Sequence, residues 1–182
     1  NALKLLNNKG EFLSGAEGAL ILEIAESDAF NFADVDSLGK ITEITDYMDR
    51  HIDEVLNLKL VDAEAVKKKN YKVVVDGVNS SGGIVIPALL KKMGVEVVEL
   101  YCEPNGHFPH NPEPLKEHLT DICELVVKAK DDFGIVVAPD VDRLAFICED
   151  GKMFGEEYTL VSVADYVLAN TPGNTVSNLS ST

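Results

Sequence analysis

Apolar residues recur along this chain in two periods. Short runs at Tyr71 to Val75, Glu96 to Leu100, Ile135 to Val137 and Leu144 to Cys148 read as strands, each closed off by polar or glycine-bearing turns. Between them, apolar positions return every three or four residues, which predicts helices over Ala16 to Ser27, Asp46 to Leu58, Asp62 to Lys69, Ile84 to Met93, Pro114 to Lys128 and Glu156 to Ala169. Asp46 is placed to cap its helix, which puts Tyr47, Ile52, Val55 and Leu56 on the apolar side. Gly94 ends the helix that begins at Ile84. Near the start, Ala2 to Leu6 and Glu11 to Leu13 flank Asn8-Lys9-Gly10 as a hairpin, and Ile41 to Thr45 has the composition of another strand. A last strand begins at Thr175 and runs to Leu179. Strands alternating with helices make the chain α/β, with a mixed, mostly parallel sheet and flanking helices.

The chemistry concentrates in Phe133-Gly-Ile-Val-Val-Ala-Pro-Asp-Val-Asp-Arg-Leu-Ala-Phe-Ile-Cys-Glu-Asp-Gly151. Two apolar runs enclose a tight polar segment, so the stretch reads as strand, loop, strand and hairpin turn. Pro139 cannot continue a central strand, so the loop starts there. In an extended segment Asp140 and Asp142 would point to the same side, with Arg143 beside them. Two carboxylates and a guanidinium on one loop suit a hard cation and a phosphate. Asp-x-Asp pairs in loops also cap turns or simply face water, and Asp34-Val-Asp36 is such a pair in this chain.

Two other features allow a functional reading and a structural one. Asn79-Ser-Ser-Gly-Gly83 lies between a strand and a helix, where backbone N–H groups attract anions. It lacks both the dinucleotide and the P-loop spacing, which leaves a structural turn and helix cap as the stronger reading. His107 and His110 have no carboxylate or cysteine in metal spacing and read as loop-packing residues. Lys4 alternates with Leu3 and Leu5, as a solvated strand lysine does.

A formal charge of −15 argues against nucleic acid or an anionic membrane as partner, while leaving room for a local basic pocket. No apolar run is long enough to span a membrane. Cys102, Cys123 and Cys148 are odd in number and lack zinc spacing, as expected of reduced, buried thiols in a cytoplasmic protein. The chain starts at Asn1 and stops in a strand-like segment, the pattern of a piece of a longer protein.

Four segments occur in the order and spacing of one family: Asn79-x-x-Gly-Gly, Phe108-Pro-His-Asn-Pro-Glu-Pro114, Pro139-Asp-Val-Asp-Arg-Leu-Ala-Phe146, and Gly155-Glu-Glu-Tyr with Ala164-Asp-Tyr-Val-Leu168. Together they resemble the α-D-phosphohexomutases, the phosphoglucomutase/phosphomannomutase enzymes. The resemblance implies a four-domain, magnesium-dependent isomerase that transfers a phosphoryl group between C1 and C6 of glucose or mannose phosphate. It works through a phosphoserine in a Ser-His-Asn-Pro motif and a bisphosphorylated sugar. Residues 1–59 would then be the end of domain 1 with a connecting helix, residues 60–155 the metal-binding domain 2, and residues 156–182 the start of domain 3. In the family's metal loop, Asp-Gly-Asp-Gly-Asp-Arg, Asp140 and Asp142 match the second and third aspartates and Arg143 the arginine near the phosphoserine. Asn1-Ala-Leu-Lys4 is similar to the stretch that follows the serine motif, which would make Lys4 the active-site lysine.

The chain also departs from the pattern. Ala138 replaces the first metal aspartate, and Pro139 and Val141 replace the two loop glycines. The chain has no Ser-His-Asn-Pro. Magnesium binding by this chain alone is therefore expected to be weak or absent, and the chain alone inactive. Two other readings stay open: a non-catalytic homologue that binds a sugar phosphate or a partner, and an α/β domain that binds a divalent cation for structure.

Overall fold

The computed structural model describes residues 4–28 and 30–177 and divides the chain into two units, residues 1–43 and 44–182. In the first unit, Leu6 and Phe12 form one antiparallel bridge about the Asn8-Lys9-Gly10 turn, where a hairpin is expected. Ala2 and Leu3 of that hairpin lie outside the described residues. Helix α1, Gly15–Glu26, starts from a reciprocal cap. The Ser14 N–H and hydroxyl donate to the Glu17 carboxylate, and the Glu17 N–H donates back to Ser14 Oγ. Those bonds favour the ionised carboxylate, which lowers the Glu17 pKa.

The second unit holds the sheet. Helices α2, Tyr47–Leu56, and α3, Ala63–Lys69, lead into β1, Lys72–Asp76. Then follow α4, Gly82–Lys92; β2, Glu96–Leu100; α5, Thr120–Ala129; β3, Phe133–Val137; β4, Leu144–Cys148; and α6, Glu156–Asn170. The strand order is β2-β1-β3-β4. β1 runs parallel to β2 and β3, while β4 folds back antiparallel to β3. A mixed, mostly parallel α/β sheet is what the sequence pattern implies.

Alternation along β1 sorts its side chains between two cores. Val74 faces Leu119, Ile122, Val126, Val136, Ala145 and Ile147, which includes the buried stripe of α5. Val73 and Val75 face Val95, Ile135 and Val137, with Ile86 and Leu90 of α4 packed against them. A strand covered on both faces reads as an unbroken valine run. Full burial of each such side chain contributes about 1.5–3 kcal/mol.

Several expectations change. No strand forms over Ile41 to Thr45, whose Ile41 is fully exposed; a strand exists only with a partner, and none of the described residues pairs with it. Among residues 175–177 there is no strand, and Asn178 and Leu179 lie outside the described residues. The helix expected from Pro114 begins only at Thr120, after a 3-10 turn at Lys116–His118. Pro112 and Pro114 bias Asn111 and Glu113 before them away from helical backbone, and Leu115, at ψ 149, is still extended. Asp46 does not cap α2 with its side chain; the carboxylate holds Arg50 at 2.7 Å instead. Of the apolar side expected for α2, Ile52 is buried and Tyr47 is exposed. The expected apolar face of α6 is largely exposed at Leu160 and Val163. The three cysteines are free and half-buried.

Candidate functional site at the carboxyl edge of the sheet

The connections from β1 and from β2 run to opposite faces, through α4 and α5, so the strand order reverses between β1 and β3. Ligands in open α/β sheets bind beyond the strand carboxyl ends at such a reversal. Three segments meet there: residues 77–81 after β1, 101–114 after β2, and 138–143 between β3 and β4.

Segment 138–143 is a tight turn. Ala138 N–H donates to the Arg143 carbonyl at 3.1 Å, and Val141 N–H donates to the Ala138 carbonyl at 2.9 Å. Val141 has φ +60°, so the alternation expected to align Asp140 with Asp142 does not hold: the segment is not extended. This left-handed conformation falls where the family pattern carries glycine, which adopts it without steric cost. The Ser80 and Ser81 hydroxyls both donate to the Pro139 carbonyl, at 3.0 and 2.7 Å. Ser81 is the N-cap of α4 yet makes no side-chain cap bond, so the turn after β1 braces the next loop. Its glycines are there for close packing. A Cβ on Gly83 would lie 2.5 Å from the Cys102 backbone, and one on Gly82 2.3 Å from Val137.

Asp140, Asp142 and Arg143 all lie in this turn and are exposed. Among the described residues neither aspartate has a hydrogen-bond or ion-pair partner, whereas Arg143 Nη1 is paired with Glu113 Oε1. Glu113, Pro114, Leu115, Arg143 and Leu144 line a cleft of about 420 Å³. A larger groove, about 690 Å³, lies between α5 and the 150–153 turn and includes none of these side chains. Lys4 is exposed in the first unit.

The residue types fit a hard divalent cation, since both aspartates are unpaired oxygen donors. Their number does not fill its coordination shell, and no group of three His, Cys, Asp or Glu among the described residues could hold a metal. Where the family pattern places the first metal aspartate there is a buried alanine, Ala138.

No site role falls to Asp76 or Glu113 from the sequence, and His110 reads there as loop packing. Asp76 ends β1 and is buried. Its Oδ1 accepts the Val78 N–H at 2.9 Å, and its Oδ2 lies 3.0 Å from His110 Nε2. His110 Nδ1 is 2.7 Å from the Asn111 carbonyl and must donate to it. The Nε2–Asp76 contact therefore holds one shared proton, either as imidazolium with carboxylate or as imidazole with carboxylic acid. Burial pushes the Asp76 carboxyl up, while the Val78 N–H and His110 pull it down; burial is the larger effect. The His110 reading as a loop-packing residue thus holds only in part, because the ring is also hydrogen-bonded at both nitrogens. The sequence signal for Asp76 was a carboxylate closing an otherwise apolar buried strand.

Residues 49–151, more than half of the chain, match the family model described as phosphoglucomutase/phosphomannomutase, α/β/α domain II. The chain belongs to the phosphoglucomutase/phosphomannomutase family. It is 36% identical over 174 residues to a phosphoglucomutase/phosphomannomutase of Thermococcus kodakarensis, covering 95% of this chain and 38% of that protein. It is 30% identical over 181 residues to a probable phosphoglucosamine mutase of Methanopyrus kandleri, covering 98% of this chain and 39% of that protein. A crystal structure of a phosphoglucomutase/phosphomannomutase family protein from Burkholderia thailandensis matches with a TM-score of 0.71 and 25% identity, over 88% of this chain and 33% of that one. The fold also matches that of a phosphomannomutase-like structure from Thermus thermophilus, with a TM-score of 0.69, 20% identity, and coverage of 89% of this chain and 36% of that one. The chain thus spans less than two fifths of these relatives.

Proposed function

We propose that this chain is part of a cytoplasmic phosphohexomutase, an isomerase that moves a phosphoryl group between C1 and C6 of a hexose phosphate through an enzyme phosphoserine and a bisphosphorylated sugar. Residues 1–59 supply the end of domain 1 and its connecting helix, residues 60–155 domain 2, and residues 156–182 the start of domain 3. No helix among the described residues is long and apolar enough to cross a membrane. One observation carries the reading: at the strand-order reversal, a braced turn presents Asp140, Asp142 and Arg143 to solvent together.

Asp140 and Asp142 would hold magnesium, which draws charge from the phosphoryl group in transfer. Arg143 binds phosphoryl oxygens with its planar fork, exchanging the Glu113 carboxylate for the more highly charged phosphate. Lys4 contacts phosphate or moves a proton to and from the sugar hydroxyl. The Pro139 carbonyl, held by two serines, keeps the turn from reorganising as charge shifts, and phosphoryl transfer depends above all on such positioning. The substrate is a glucose or mannose phosphate, with glucosamine phosphate brought in by the names of the relatives.

Ala138 favours a second reading, a homologue that binds a sugar phosphate or a partner without catalysis. One experiment separates the two. The protein from its native cell is weighed intact, fragmented to read what precedes Asn1, and assayed for interconversion of hexose 1- and 6-phosphates. A phosphorylated Ser-His-Asn-Pro and a turnover lost in Asp142→Asn support the mutase. A mass of 19.8 kDa with no turnover overturns it and leaves the binding homologue.

A further inference from the structure

Two arms run from Asp76 to the 138–143 turn. Along one, Asp76 Oδ1 holds the Val78 N–H in a backbone where Val78 and Asn79 are both left-handed, and the next two residues brace Pro139. Along the other, Asp76 Oδ2 meets His110, whose Nδ1 donates to the Asn111 carbonyl. The Asn111 side-chain carbonyl accepts the Glu113 N–H at 3.0 Å, and the Glu113 carboxylate holds Arg143. The other neighbours of the pair reinforce this arrangement. Tyr101 meets the His110 ring edge-on at 6.0 Å and donates its hydroxyl to Asp121 at 2.5 Å. Asn79 Nδ2 donates to the His107 carbonyl at 3.0 Å.

The geometry points to Asp76 and His110 as a positioning pair for Arg143: by fixing segment 110–113 against the end of β1, the pair sets where Glu113 presents the guanidinium at the mouth of the cleft. Neither residue touches a reacting group; both act through Glu113. An exposed arginine with no fixed partner samples many rotamers and must be ordered again each time it binds an anion. A guanidinium already parked at the cleft avoids that ordering. This inference rests on the mutase reading only where turnover is concerned.

The chain contains two arginines, Arg50 and Arg143, so their two side-chain Nε–Hε resonances are assigned with one substitution. Arg50, paired with Asp46 on α2, is the internal control. In the 182-residue chain, His110→Ala should move the Arg143 resonance toward that of a free arginine and leave the Arg50 resonance in place. Glu113→Gln, an exposed change that spares the core, should give the same shift. Asp76→Asn should preserve the wild-type signal, because the amide oxygen still accepts the Val78 N–H and the amide N–H can donate to His110 Nε2. If His110→Ala does not fold, His110→Asn breaks the Asp76 contact more gently and should shift the Arg143 signal in the same direction. An Arg143 resonance unmoved by the folded His110 variant overturns the inference.

In the full-length enzyme, His110→Ala and Glu113→Gln should each lower kcat/KM on the order of tenfold. The double variant should be no worse than either single one, and additive losses would overturn a shared path. If the wild-type full-length protein shows no turnover, the functional reading fails while the resonance measurement still decides the positioning.

Discussion

The sheet keeps a buried aspartate at each end, and the two have different partners. At the amino end, Asp131 has a fully buried side chain whose oxygens find no well-aligned hydrogen bond; its charge is compensated by Lys72 Nζ at 3.2 Å. The neighbouring Asp132 accepts the Lys72 N–H at 2.7 Å and stitches the start of β1 to the approach to β3. At the carboxyl end, Asp76 is hydrogen-bonded at both oxygens and shares a proton with His110. The first pair clamps the fold; the second sits at the strand-order reversal, beside the turn proposed as the site. Buried ionic pairs are weak evidence for stability in themselves, but breaking one is costly.

The largest effect should come from the amino end. Lys72→Met leaves Asp131 buried without a cation, and the folding equilibrium constant should fall on the order of a hundredfold, read as a lower urea midpoint with unchanged slope. The clamp is also sensitive to alkali. Asp131 raises the Lys72 pKa above its ordinary value in the folded state. Its contribution is therefore complete below the unfolded value of 10.5 and fades as pH rises through the folded one. Equal urea midpoints for wild type and Lys72→Met would erase the contrast between the two ends.

Next in size is the carboxyl end. His110→Ala leaves Asp76 Oδ2 unpaired and should cost about 1–3 kcal/mol by chemical denaturation. The sign with pH is opposite to that of a salt-bridged surface carboxylate. Burial raises the Asp76 pKa, so its folded form holds the proton more tightly than the unfolded chain does. Stability from this group is complete below the ordinary 3.8 and declines as pH rises through the folded value. Asp121 and Tyr101 lie nearby, and the Asp121 charge pushes the same way. Without His110 to pull the pKa down, the deficit of the variant should grow from acid toward neutral pH. A pH-independent deficit would mean that the His110 ring contributes only packing.

What could be read from the sequence follows the same division. The strands and α4 were legible because a sheet buried on both faces needs continuous apolar runs, and Val73-Val-Val75 can hardly be anything else. The proposed site was legible as a set of residue types, Asp140, Asp142 and Arg143, but not as geometry. The conformation of Val141 comes from the turn that closes β3 onto β4, and no alternation rule anticipates a left-handed valine. Asp76 and His110 stand 34 residues apart, a spacing with no periodic signature. Parallel pairing of β2 with β1, which sets Leu100 beside Asp76, is what brings the 101–114 segment to the end of β1. The strand expected over Ile41 to Thr45 failed for a related reason: its propensity was local, and its partner had to come from elsewhere.

Ala138→Asp restores the carboxylate that the family pattern places there and sharpens the contrast from the metal side. Ala138 is buried, so the new charge should destabilise the chain without magnesium, and the loss should shrink as magnesium is added. Calorimetry on the full-length protein should give magnesium affinity tighter by on the order of tenfold, since charge count tunes such sites. Unchanged affinity would remove this turn as the metal site.

The smallest effect should come from Val141→Gly, where a gain and two losses of comparable size oppose each other. A left-handed valine costs roughly 1–2 kcal/mol, which glycine would relieve. Against that, Val141 is partly buried against the core on the α4 side, and glycine would give up that packing, about 1 kcal/mol for a half-buried valine. The added freedom of the unfolded chain costs about as much again. The net change in stability should stay within about 1 kcal/mol, with the Val141 N–H to Ala138 carbonyl bond preserved. The turn itself should loosen, visible as faster amide exchange at residues 140–143 with the strands unaffected. If Val141→Gly instead destabilises by about 3 kcal/mol, packing rather than backbone strain governs the turn. The carboxyl end would then be as firmly set by its core contacts as the amino end is by Lys72 and Asp131.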